Sequence, residues 1–255
     1  MGDLNVHNLL WGGTNTNTKD PARTMDEKFS ADIPLKERDE VEKVFLYLIG
    51  DDGTGSEDII DRFSQNSHQY EKVLGGVNFT GPVQTAQSAA EFYPNNREDV
   101  YILDVAAGTG QCAEKLHSHG FRRIDALEPS SEMVELSKKK DLYGRYFNVI
   151  LGENALDIES DTYDAVTISG LSVMVMKKMP KNAFEELIRI VKPGGYIINT
   201  SFYKLFPEDG DAVAAIFRRN VKALESEGKW KRVQLRHFKG YLFGDDGGVA
   251  VHQVL

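Results

Sequence analysis

Asp104-Val-Ala-Ala-Gly-Thr-Gly110 decides how this chain is read. It closes an apolar run, Val100-Tyr-Ile-Leu103, which is short, β-branched and bounded by polar residues, and so reads as a buried strand. From Gln111 to His119 the period changes: Cys112, Ala113 and Leu116 fall at helical spacing, and Gly120 supplies a stop. A strand, a tight turn of small residues and a helix together hold a nucleoside-containing ligand against backbone. Glycine at 108 and 110 permits backbone angles closed to other residues and leaves no Cβ between main chain and ligand. Roughly twenty residues on, a second apolar strand, Ile124-Asp-Ala-Leu127, ends in Glu128, placed to accept hydrogen bonds from two ribose hydroxyls.

Two nucleoside cofactors could use such a turn. Read from Gly108, Gly-Thr-Gly-Gln-Cys-Ala113 meets the relaxed dinucleotide fingerprint G-x-G-x-x-A. Read from Asp104, the stretch is acid-x-Ala-x-Gly-x-Gly, which resembles the first motif of class I S-adenosylmethionine-dependent methyltransferases, with Ala106 where that family most often has glycine. An acid at the strand end attracts a sulfonium or ammonium and repels a pyrophosphate. The plain alternative for Asp104 is a capping or turn carboxylate.

Further segments carry the resemblance in chain order. Leu127-Glu128-Pro129-Ser130-Ser-Glu-Met133 is similar to the family's second segment; Ser130 is a candidate N-cap, and Met133 would offer a polarizable surface to the adenine ring. Val149-Ile-Leu-Gly-Glu153-Asn154-Ala155 resembles the loop after strand three, where an acid or amide meets the adenine amine. Tyr163 to Ser169-Gly170 resembles the fourth strand, and Leu187 to Asn199, with Lys192-Pro-Gly-Gly195, resembles a helix, turn and fifth strand that a dehydrogenase has no reason to repeat. Phe63 to Tyr70-Glu71 is similar to the family's lid segment, although Glu71 replaces its usual Asp and Asn66 stands where close members tend to have tryptophan. Tyr70 is then either a packing aromatic or a contact to the methionine carboxylate. Within the family, Gly120-Phe121, Ser130 to Met133 and Asp141-Leu-Tyr143 look like the methyltransferase-like protein 27 group from the Williams-Beuren region.

The resemblance implies an α/β fold: a Rossmann-like, seven-stranded, mostly parallel sheet with helices on both faces, a C-terminal antiparallel hairpin and an N-terminal helical lid. It implies S-adenosyl-L-methionine as cofactor, S-adenosyl-L-homocysteine as product, and no metal. The donor would meet Tyr70, Asp104, Ala106, Gly108, Gly110, Glu128, Pro129, Ser130, Met133, Glu153, Asn154, Ala155 and Ser169. Acceptors would meet residues following strands four and five, namely Gly170, Leu171, Met174, Phe202, Tyr203 and Phe206. The Met and Val residues of Leu171 to Met176 are equally well read as core.

Composition bounds the rest. At 255 residues, one domain with an extension is expected. One cysteine allows no intramolecular disulfide and suits a reducing, cytoplasmic setting. No segment approaches the roughly 18 apolar residues of a membrane span, and the start lacks a charged-then-apolar signal. A net charge of −9 disfavours nucleic acid as acceptor, and the basic run Lys138-Lys-Lys140 complements a helix C-terminus.

Residues 1–32, rich in Asn, Thr, Asp and Gly, read as a mobile tail; 33–99 as the helical lid; 100–255 as the methyltransferase domain. In the lid, Val41, Val44, Phe45, Leu48 and Ile49 form one helical face, and Ser56 caps a second helix presenting Ile59, Ile60 and Phe63. Asp211 to Glu227 reads as an amphipathic helix, and Lys231–Phe243 and Val249–Val254 as strands joined through Gly244-Asp-Asp-Gly-Gly248.

Methyl transfer from a sulfonium is an in-line displacement whose donor is already activated, so positioning and water exclusion matter most. A base is needed only where the acceptor atom must shed a proton. His68, Tyr203 and His237 are the candidates, each with an ordinary packing or surface role as its alternative. The pattern thus suits transfer to a small-molecule N, O or S acceptor. A protein or peptide methyltransferase, for which the negative charge would suit a basic substrate, and a cofactor-binding protein without turnover are the other readings.

Overall fold

The computed structural model describes residues 29–30, 33–51 and 53–255. Seven strands form one sheet in the order β3-β2-β1-β4-β5-β7-β6. They are β1 (Tyr101–Val105), β2 (Arg123–Leu127), β3 (Tyr146–Phe147), β4 (Tyr163–Ser169), β5 (Val191–Phe202), β6 (Trp230–Leu242) and β7 (Asp245–Val254). β1 to β5 are parallel, and β7 is inserted antiparallel between β5 and β6. This is the Rossmann-like sheet with a C-terminal hairpin that the motifs imply. Because β2 and β4 flank β1 on opposite sides, the connections diverge there and open a crevice at the carboxyl ends of β1 and β4.

Among the described residues, four helices precede the sheet: α1 (Leu35–Ile49), α2 (Ser56–Gln65), α3 (Tyr70–Gly76) and α4 (Gly81–Phe92). Five follow in the chain: α5 (Gln111–Ser118), α6 (Ser131–Lys138), α7 (Val173–Met176), α8 (Lys181–Ile190) and α9 (Ala215–Ser226). Alternation along each strand divides the core between the two faces. Leu103, Val105, Val166, Ile168 and Ile197 share one buried cluster with Val41, Phe45, Leu48, Val73, Leu74, Leu187 and Leu224. Ile102, Ile124, Ala165 and Ile198 share the other with Ala86, Ala89, Ala113 and Leu116. Of the segment 33–99, therefore, α1 and α3 pack with one face, whereas α4 packs with the other beside α5.

Three local details differ from the sequence reading. The second helix is capped by Gly55, whose N–H donates to Asp58 Oδ2 at 3.2 Å; Ser56 is already helical. The hairpin turns at Phe243 and Gly244, with φ of 51° and 75°, which leaves Asp245 to Gly248 inside β7 rather than in a loop. Two successive left-handed residues give the tight turn whose twist matches antiparallel strands. Ahead of α9 lies a separate 3₁₀ turn, Ala212–Ala214, capped by Asp211, which accepts the Val213 N–H at 3.0 Å. The tail expected over 1–32 lies outside the described residues except Phe29 and Ser30; Phe29 is buried, edge-on to Phe243 with ring centroids 5.8 Å apart.

Among the described residues, no helix is long and apolar enough to cross a membrane. Nor do they hold a cluster of three or more His, Cys, Asp or Glu side chains placed to bind a metal ion.

Candidate functional site

The crevice at the carboxyl edge of β1 and β4 is a cavity of about 170 Å³ with a mostly apolar wall. The turn after β1 forms its floor. Ala106 and Gly108 lie there with φ of 55° each, and a Cβ on Gly108 would project to 3.7 Å from the Tyr70 ring. A side chain there would meet the ring only at ordinary van der Waals distance, so it is the positive φ that favours glycine. Ala106 holds a conformation in which its Cβ is strained by about 1–2 kcal/mol.

Glu128, at the end of β2, is 8% exposed. Its Oε2 accepts the Gly108 N–H at 2.9 Å and its Oε1 accepts the Ser130 N–H at 2.9 Å. Burial raises its pKa, opposed by these two backbone donors. Each carboxylate oxygen has a second lone pair, so both can accept again from a ligand in the cavity. Ser130 caps α6: its Oγ accepts the Met133 N–H at 3.2 Å and the Ser64 hydroxyl of α2 at 2.8 Å. This capping fixes Met133 against the cavity and ties a lid helix to the sheet edge.

The lid supplies Ser56, Ile59, Ile60, Phe63 and Tyr70. Tyr70 stands edge-on to Phe63 at 5.6 Å, and burial, with Glu128 and Glu71 nearby, raises its pKa, so the phenol keeps its proton. Glu71 is joined to Lys140 at 2.6 Å, and Lys140 also reaches Glu114 at 3.0 Å. The last lysine of the basic run thus links α3 to α5.

Ser169, at the end of β4, lies on the same wall, but its buried Oγ is on the Thr167 side of the strand, 3.2 Å from where a Cβ on Gly81 of α4 would project. Gly170, Leu171, Ser172, Val175, Lys178, Met179 and Pro180 complete the wall. A second, smaller chamber of about 40 Å³ shares Phe63, Tyr70, Gly170, Leu171 and Ser172 with the first. Its remaining wall is Phe45, Leu48, Ile49, Leu74, Phe79, Val173, Phe202, Tyr241 and Leu242.

Tyr70, Ala106, Gly108, Glu128, Pro129, Met133, Ser169, Gly170 and Leu171 are thus brought together, with Phe202 in the second chamber. Asp104 is not. Strand alternation turns it to the face covered by α5, where its Oδ2 accepts Tyr143 OH and its Oδ1 accepts Thr167 Oγ1, both at 2.8 Å. Its burial raises the pKa to about 6. Gly110 serves as the left-handed residue before α5, φ 90°, rather than as cavity wall. Glu153, Asn154 and Ala155 line an adjoining cavity of about 490 Å³, which shares Ile60, Pro129 and Ile150 with the first. The two-residue β3 explains this, because its loop leaves the sheet edge early.

Met174 is buried core, 1% exposed. Tyr203 packs on His237 at 4.3 Å, and His237 pairs with Asp246 at 2.8 Å. Phe206 lines a separate cleft beside α9. His68 lies in the 3₁₀ turn Ser67–Gln69. None of these five, nor any histidine among the described residues, lines either chamber. Sequence reasoning also missed Leu127, Ile150, Lys178, Met179 and Pro180, which come from strand ends and loops without local periodicity.

Residues 102–195 match the family described as a methyltransferase domain. Fold and match point to one class: residues 102–195 are similar to methyltransferase domains, and the chain resembles class I S-adenosylmethionine-dependent methyltransferases. It is similar to methyltransferase-like protein 27 of Homo sapiens, 30% identical over 132 residues, covering 52% of this chain and 53% of that protein. A demethylmenaquinone methyltransferase of Clavibacter sepedonicus is 36% identical over 104 residues, covering 40% of each chain. The chain therefore spans about half or less of the length of these curated relatives. In fold it is similar to a SAM-dependent methyltransferase from Leishmania major, with a TM-score of 0.57, 18% identity, and coverage of 85% of this chain and 91% of that one. Family and fold imply S-adenosylmethionine as cofactor, with S-adenosylhomocysteine as its product. The residues fit it: a Cβ-free turn at Gly108 and free lone pairs on Glu128 face one cavity.

Proposed function

We propose that the protein transfers a methyl group from S-adenosylmethionine to a small, largely apolar acceptor by in-line displacement. The observation that carries this reading is the shared wall of Phe63, Tyr70, Gly170, Leu171 and Ser172 between a chamber floored by Gly108 and Glu128 and a second chamber lined almost entirely by hydrocarbon. S-Adenosylmethionine supplies the activated methyl group when bound. Glu128 accepts hydroxyl donors from the nucleoside, the Gly108 main chain admits close approach, and Met133 and Leu127 give apolar cover. Phe63 and Tyr70 exclude water at the junction, the condition under which a charged donor reacts fastest with a neutral or anionic acceptor. Apolar walls favour a compact organic acceptor over a polymer.

With no histidine of the described residues on either wall, the reading assigns the acceptor atom to one already nucleophilic near neutral pH, or to one whose proton leaves to solvent. The test is incubation of the purified protein with S-adenosylmethionine and fractionated small metabolites, followed by mass spectrometry. A gain of one methyl on a low-molecular-mass compound is expected. Modification confined to macromolecules contradicts the acceptor class, and binding without turnover on any fraction contradicts catalysis.

A further inference from the structure

Beside α9, away from the two chambers and sharing no lining residue with them, is a cleft of about 270 Å³. His252, Ala250 and Phe206 form its base, and Arg218, Arg219, Lys222, Arg232, Glu208 and Glu225 rim it. Four cations against two carboxylates is a local excess of positive charge on a chain of net charge −9. Lys222 and Glu208 satisfy each other at 3.0 Å, both well exposed, and Glu225 Oε1 accepts the Arg232 backbone N–H at 3.1 Å. Arg218 fans its guanidinium across the Gly210 carbonyl at 3.1 Å and, more weakly, the Leu205 carbonyl at 3.5 Å. Arg232 makes only a long contact, 3.5 Å, to the Phe206 carbonyl.

The informative group is His252. It is 5% exposed and stacks on Trp230 with ring centroids 4.4 Å apart, yet its Nε2 has no hydrogen-bond partner. The nearest carboxylate oxygen, Glu225 Oε1, is 3.8 Å away, beyond hydrogen-bond reach. Burial, reinforced by Arg232, holds the ring neutral, with a pKa lowered to about 3. A neutral imidazole at the base of a cleft rimmed by guanidinium groups, with its proton on Nε2, would supply an N–H donor where planar cations supply more. A buried polar atom left unpaired is costly, and an acceptor placed here would remove that cost.

We propose that this cleft binds the oxyanion head of a small ligand, a phosphate or a carboxylate, with His252 Nε2–H and the Arg232 and Arg219 guanidiniums as donors. The proposal does not depend on the methyltransferase reading. Trp230 reports on it directly, because the only other tryptophan, Trp11, can be replaced (Trp11→Phe). Inorganic phosphate and succinate are each titrated into that variant at constant ionic strength, with chloride as control, following calorimetric heat and Trp230 fluorescence. Saturable binding of one or both is expected, together with a fluorescence change; response to phosphate alone assigns a phosphate, and to succinate alone a carboxylate. Arg232→Gln, at an exposed position, is expected to weaken binding about tenfold or more, as loss of a charge-assisted hydrogen bond requires. Absence of saturation with both anions, an equal response to chloride, or unaltered binding in Arg232→Gln overturns the proposal.

Discussion

The carboxylate of Glu128 accepts the backbone N–H of Gly108 at 2.9 Å, so the end of β2 holds the turn after β1 in place. One side chain therefore both shapes the ligand floor and lines it. Without it the left-handed turn at Ala106 to Gly108 would lose its anchor, and the cavity its principal acceptor.

Asp104 gives a pH signature. Its pKa is raised by burial from 3.8 to about 6, so the folded state binds its proton more tightly than the unfolded chain does. The associated stability is complete below the unfolded pKa and is lost as pH rises through about 6. Asp104→Asn, which keeps the size and one acceptor for Tyr143 or Thr167, should gain on the parent across that window and hold a constant advantage above it. Urea denaturation of both proteins from pH 4.5 to 8 measures the difference; a difference independent of pH would show that Asp104 is not desolvated.

Ala106 occupies a left-handed backbone at φ 55°. Relief of its strain, about 1–2 kcal/mol, exceeds the entropic gain of about 0.4–1 kcal/mol that glycine gives the unfolded chain. Ala106→Gly should therefore stabilise by about 0.5–1 kcal/mol, and Ala106→Val should destabilise, read as opposite shifts in the urea midpoint. A destabilised glycine variant would refute the strained turn.

Tyr70 offers a protonated phenol to the cavity while its ring packs on Phe63. Tyr70→Phe should keep the packing and weaken S-adenosylhomocysteine binding about 2- to 13-fold, one hydrogen bond's worth. Phe63→Ala opens the junction between the chambers and should lower turnover more than donor affinity. Equal losses in both variants would mean that the two rings act only as packing.

Asp125 tests the opposite end of the sheet. Its buried carboxylate accepts Tyr101 OH at 2.6 Å, Tyr163 OH at 2.7 Å and Arg145 Nε at 2.8 Å. Asp125→Ala strands these donors, at about 1–3 kcal/mol for each one left buried without a partner. Thermal unfolding should show a lowered midpoint with S-adenosylhomocysteine affinity little changed; a selective loss of affinity would tie this cluster to the site instead.

The parts legible in the sequence were those with local period or local chemistry. The strand, turn and helix around Gly108, the acid ending β2 and the apolar face of α1 each declare themselves within a dozen residues. What escaped was long-range. Asp104 looked like a ligand contact because Tyr143 and Thr167, which occupy it, lie 39 and 63 residues away in the chain. Phe206 follows β5 and so resembled an acceptor contact, but the chain bends under α9 and delivers it to the arginine-rimmed cleft. The hairpin turn falls ahead of the glycine-rich stretch, at a Phe243 that carries no local signal for a left-handed backbone.

Calorimetry with S-adenosylhomocysteine on the parent and on Glu128→Ala tests the central claim most directly. The parent should bind, and the variant should bind roughly 12- to 150-fold more weakly, the worth of one lost hydrogen bond to a charged acceptor. No heat from S-adenosylhomocysteine, with saturable binding of a nicotinamide dinucleotide in its place, would contradict the account.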